Sequence, residues 1–144
     1  MRLNWIVCGI LLVNIPAILM ADGPKEDLER TMKAMNKPYK VLIKQIKDKS
    51  KNADSLKQLA DLEAATLRAK GETPDHMENV SKEKRDKALA DYRAMMATCL
   101  SEQLEVEQAL LDDDNETAAK KLDELTETMK SGHKEFRHEE HGHD

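Results

Sequence analysis

Two side chains of different donor chemistry stand near opposite ends of this 144-residue chain. Met32 offers a thioether and His133 an imidazole. A thioether and an imidazole are the two donors that electron-transfer cytochromes use as an axial pair for haem iron. A Met sulfur favours the ferrous state and raises the reduction potential, and two filled axial positions favour electron transfer over oxygen binding. Met35 is a second thioether on the same helical stretch, deeper than His133, and could stand in for Met32. A second grouping closes the chain: His138, His141 and His143 beside Glu139 and Glu140. Such residues bind copper, nickel or zinc; they also read as a solvated acidic tail. Cys8 and Cys99 form neither CxxC nor CxxCH, which excludes thioredoxin-like redox chemistry and covalent c-type haem attachment. Asp112, Asp113 and Asp114 lack EF-hand spacing and a loop glycine, so helix capping explains them. Asn79-Val80-Ser81 and Asn115-Glu116-Thr117 match the glycosylation pattern, but both fit helix caps. His76 falls in a polar loop. No Ser/His/Asp grouping, Gly-rich phosphate loop or paired-carboxylate cleft can be argued, and the chain reads as no enzyme.

Residues 1–21 read as a secretory signal. Arg2 is followed by an uncharged run from Trp5 to Met20, then by the small residue Ala21. Leu19 is a poor residue two positions before that cut, and the alternative is an uncleaved anchor. Arg2 is the only charge in the segment, so its removal takes the net charge from −5 to −6. The remainder keeps Cys99 as its single cysteine, which cannot form an internal disulfide. Its aromatics are Tyr39, Tyr92 and Phe136. An acidic chain lacks the basic footprint that nucleic-acid binding requires. No later stretch is apolar enough to span a bilayer once the signal is gone. The expected division is therefore a signal over residues 1–21, a folded domain over 22–137 and a His/Glu-rich tail over 138–144.

The elements that must position Met32 and His133 are helices. The chain is 3% aromatic and 35% charged, with five glycines and four prolines, a composition poor in strand and turn formers. A first helix spans about 26–48, with Leu28, Met32, Met35, Tyr39, Leu42 and Ile46 at alternating steps of four and three. Pro38 removes one backbone donor there and should kink it. A second covers about 54–70, with Leu56, Leu59, Ala60, Leu62, Thr66 and Ala69 inward; Gly71 and Pro74 stop it. A third covers about 81–111, with Leu89, Tyr92, Met96, Cys99, Gln103, Val106 and Leu110 inward. The fourth covers about 116–138, with Ala118, Leu122, Leu125, Met129, Gly132, His133 and Phe136 on one side.

Four such helices with short links predict an all-α fold, an up-down-up-down antiparallel four-helix bundle. In that topology the start of helix one and the end of helix four share an end. Met32 lies roughly 9 Å along its helix at 1.5 Å per residue, and His133 lies at a similar depth from the other terminus. A methionine at heptad spacing also reads as packing, and a histidine near a helix end as a solvated side chain. What singles out this pair is that topology brings them to one end, at one depth, facing each other. So few aromatics leave the core short of large side chains, and a flat apolar cofactor could fill the space.

The sequence also resembles a known family over residues 26–137. Asp27-Leu28-Glu29-Arg30-Thr31-Met32 is similar to the opening turn of the cytochrome b562 family, where the methionine ligand sits. Thr128-Met129-Lys130-Ser131-Gly132-His133-Lys134-Glu135-Phe136-Arg137 resembles its closing turns, a His followed by an aromatic and an Arg three and four residues on. Helix order, an Ala-rich second helix and the Thr73-Pro74 link agree as well. Cytochrome b562 is itself a standard example of the up-down-up-down bundle. The resemblance implies a periplasmic electron carrier with one non-covalent haem b per chain, held by Met32 and His133, and its acidic surface would favour basic redox partner proteins. The chain departs from the pattern in four places. Tyr92 and Met96 stand where the family brings phenylalanines to the haem, Met129 replaces a more polar residue, and Pro38 and the His-rich tail are additions. A haem-free exported bundle that binds metal through the tail, or a partner protein, is the alternative reading.

Overall fold

A computed structural model describes residues 28–74, 77 and 81–136. The expected signal at 1–21, the tail at 138–144 and His76 lie outside the described residues. Within them the fold is the expected one: four helices, α1 Leu28–Gln45, α2 Asn52–Gly71, α3 Lys82–Leu111 and α4 Asn115–Phe136, joined by a 3-10 turn at Lys49–Lys51 and by the links 72–81 and 112–114. No strand occurs among the described residues.

The 3-and-4 spacing of apolar positions decides which faces turn inward. Met35 and Leu42 of α1, Leu59, Leu62 and Ala69 of α2, Tyr92, Met96 and Cys99 of α3, and Leu122 and Leu125 of α4 are all buried. α1 continues through Pro38, whose side is buried against the neighbouring helices. Ala60, expected inward, is exposed; Ser55, Leu59 and Leu62 carry the buried stripe instead. α2 also starts earlier than expected. The 3-10 turn, capped by Asp48 accepting from the Ser50 amide at 3.0 Å, feeds directly into Asn52.

Polar groups stitch the interior where helices meet. Thr66 donates to the Leu62 carbonyl at 2.9 Å and accepts from Gln103 Nε2 at 2.8 Å, coupling α2 to α3. Thr126 donates to the Leu122 carbonyl at 2.7 Å, which leaves the Tyr39 hydroxyl to donate to Thr126 Oγ1, also at 2.7 Å. That bond spans α1 and α4, whose backbones approach less closely than those of the α1–α2, α2–α3 and α3–α4 pairs.

The end formed by 45–55 and 108–118 is tightly tied. Asn115 donates to the Ile46 carbonyl at 2.6 Å and to Asn52 Oδ1 at 2.7 Å. Asn52 Nδ2 in turn donates to Asp113 Oδ1 at 2.9 Å. Asp113 sits at φ 54°, the left-handed region that short polar side chains tolerate. The helix cap at this corner is Asp114, which accepts from the Thr117 amide at 3.0 Å. Asn115, read from sequence as a cap, is instead a buried cross-tie between the two halves of the bundle.

Candidate cofactor site

The opposite end opens into a cleft between α1 and α4. Its floor is fixed by three contacts. Tyr92 donates its hydroxyl to the Ala69 carbonyl at 2.7 Å, holding α3 to the last turn of α2. The Phe136 ring meets Tyr92 edge-on, with centroids 5.6 Å apart and an interplanar angle of 77°. Thr31 Oγ1 donates to Glu72 Oε1 at 2.8 Å, tying the start of α1 to the residue that ends α2. Burial, with the nearby Glu72 charge, pushes the Tyr92 phenol well above its ordinary value, so it stays a neutral donor.

The cleft encloses about 490 Å³ and is open to solvent on one side. Met32 lines it from α1 and His133 from α4. The two side chains singled out by sequence therefore border one cavity. Met32 is half-buried and His133 exposed, so the imidazole belongs to the rim and the thioether to the wall. Met35, the alternative thioether, lines the same cleft but is only 5% exposed. Tyr92 and Met96 reach it too, where the resemblance offered them in place of phenylalanines. The rim carries Glu29 and Lys33, ion-paired one turn apart on α1.

Met95 and Met77 escaped the sequence reading, while Cys99 and Gly132, expected inward, border the cleft. Met95 lines the cleft beside Met96; it follows Tyr92 by three residues, a spacing that puts it on the same face, and the Met-Met doublet was the available signal. The Cβ that Gly132 lacks would lie 3.3 Å from Met95 Cγ, so the glycine admits this side chain. Cys99 also borders the cleft, its thiol pushed up to about 11 chiefly by burial, and is neutral and unreactive near pH 7. Met77, from the link between α2 and α3, is 1% exposed. A methionine isolated in a polar loop has no periodicity to announce its burial.

The residues present fit a haem. A thioether and an imidazole border the same space from different helices, the walls are apolar and aromatic, and the volume falls within the roughly 300–1,000 Å³ of small-molecule pockets. Among the described residues no group of three or more His, Cys, Asp or Glu side chains could hold a metal ion, so the cleft is no conventional N/O metal site. The cytochrome b562 family profile matches residues 27–137. This chain belongs to the cytochrome b562 family. No curated protein and no solved structure matches it. Membership in the cytochrome b562 family implies haem b as the cofactor and the role of an electron carrier. No helix among the described residues is long and apolar enough to cross a membrane.

Proposed function

We propose that this protein is an exported, periplasmic b-type cytochrome that carries single electrons with one haem b per chain. The observation that carries the reading is the shared cleft: Met32 on α1 and His133 on α4 border one apolar cavity in a chain of the cytochrome b562 family. When bound, haem b supplies an iron centre that accepts and releases one electron. Met32 would hold that iron with a neutral sulfur, which favours the reduced state, and His133 would hold it with an imidazole nitrogen. Ligation by both residues would favour electron transfer over oxygen binding.

The remaining residues prepare the site. Tyr92 and Phe136 pack edge-on to form an apolar floor that excludes water, and the Tyr92–Ala69 bond keeps that floor in place. Both Tyr92 and Cys99 stay protonated at neutral pH, so no buried negative charge opposes reduction from these two positions. The open side of the cleft gives electrons a short path to a partner. The acidic net charge, −5 for the full chain and −6 without residues 1–21, favours a basic one. Export rests on the uncharged run Trp5–Met20 behind Arg2. The test is a haemin titration of the purified chain followed by potentiometry. One equivalent bound and a reversible one-electron wave are expected; no uptake, or more than one equivalent with no defined potential, overturns the reading.

A further inference from the structure

Five of the chain's eight methionines, Met32, Met35, Met95, Met96 and Met129, line the cleft at the open end. Haem ligation uses one thioether, and packing alone would scatter the rest through the core. Leu is the commonest residue at the other interior positions of this bundle. The concentration of sulfur at one place has a chemical consequence. Thioethers are neutral, soft donors that need no deprotonation; they select monovalent copper and bind zinc, calcium or magnesium poorly.

The helix register arranges two of these thioethers and one imidazole well. Met129 and His133 are four residues apart on α4, so they lie on one face, a turn apart. Met32 faces the same space from α1. Neither Met129 nor His133 belongs to a group with carboxylates that would favour a hard divalent ion, since no such group occurs among the described residues. A monovalent cation also suits an apolar wall, where burying a double charge without anionic ligands is far more costly.

We infer that the haem-free cleft is a Cu⁺ site, with the sulfurs of Met32 and Met129 and the imidazole of His133 as its ligands. Because Met32 and His133 are also the proposed haem ligands, copper and haem exclude each other. Met129 separates the two: it shares a helix face with His133 and would approach a bound haem from the same side, so only copper would need its sulfur.

The experiment uses the full-length, haem-free chain and Cu⁺ held reduced by ascorbate without oxygen, in competition with a chromophoric Cu⁺ chelator. One Cu⁺ per chain is expected, with sulfur neighbours in its X-ray absorption spectrum. Met129→Leu should weaken Cu⁺ by about tenfold or more, with helical circular dichroism unchanged. A triple His138→Ala, His141→Ala, His143→Ala variant should retain the sulfur-coordinated copper, because the tail has no sulfur. Copper surrounded by nitrogen and oxygen alone, or an affinity untouched by Met129→Leu, overturns the site. A chain that takes Cu⁺ on sulfur but refuses haemin upholds this site and defeats the cytochrome reading; the reverse defeats the copper site alone.

Discussion

The two ends of the bundle are built from the same helices to opposite specifications. At the Asn115 end, short links bring buried amides into reciprocal hydrogen bonds, and Leu42 and Leu110 beside them are 0% and 1% exposed. At the Met32 end, α1 and α4 part around a cleft of about 490 Å³ walled by flexible methionines. One end spends its side chains on closing the structure, the other on leaving room. A polar network is satisfied only in one geometry and so fixes register. Thioether side chains adapt to whatever occupies the space between them. The lesson is that stability and ligand capacity are separated along the bundle axis, so the site can be open without the fold being loose.

Substitutions should reveal that division. The largest effect is expected from Leu42→Ala or Leu110→Ala at the closed end, about 2–5 kcal/mol of lost stability in urea melts. Leu28→Ala at the half-buried cleft rim should lose less than about 1 kcal/mol. Equal losses at the two positions would break the comparison. Next is Asn115→Ala, which strands the Ile46 carbonyl and the Asn52 amide oxygen and should remove about 1–3 kcal/mol. Tyr92→Phe at the open end removes one neutral bond to the Ala69 carbonyl and should remove about 1 kcal/mol by the same measurement.

The effect that is smallest near neutral pH, and that grows only in alkali, belongs to Cys99. Burial raises the Cys99 thiol from 9.0 to about 11, so the folded chain holds that proton more tightly than the unfolded one. Stability should therefore fall as pH rises from 9.0 through about 11. Cys99→Ala should flatten part of that decline in melts taken across the alkaline range. Tyr92, whose phenol is raised by burial, would account for part of what remains. An alkaline slope unaltered in Cys99→Ala would show that the thiol is not buried in this way.

Much of this was legible in the residues. The 3-and-4 steps of Met35, Leu42, Leu59, Leu62 and Leu122 mark inward faces because burial of an apolar stripe obeys helical periodicity. Topology alone then put Met32 and His133 at one end. Ala60 misled because a methyl group is nearly indifferent between core and surface, so its position in the pattern carries little weight. The Asn52–Asn115 tie was hidden for a different reason. Short polar residues at helix junctions look like caps, and only the path of the chain in space shows that these two amides meet across the bundle. Met95 was hidden by its neighbour: two methionines in succession straddle the face, and the 3-and-4 count follows one of them. Cofactor ligation itself leaves no periodic mark, which is why the pair had to be argued from donor chemistry and depth.

The central claim is that one iron is gripped by Met32 and His133, and the absorption spectrum of the haemin-loaded chain tests it most directly. Wild type should give sharp low-spin bands in both oxidation states. Met32→Leu and His133→Ala should each lose them, giving a high-spin spectrum or no uptake, while Met35→Leu should keep them. Low-spin bands that persist through Met32→Leu and His133→Ala would contradict the account.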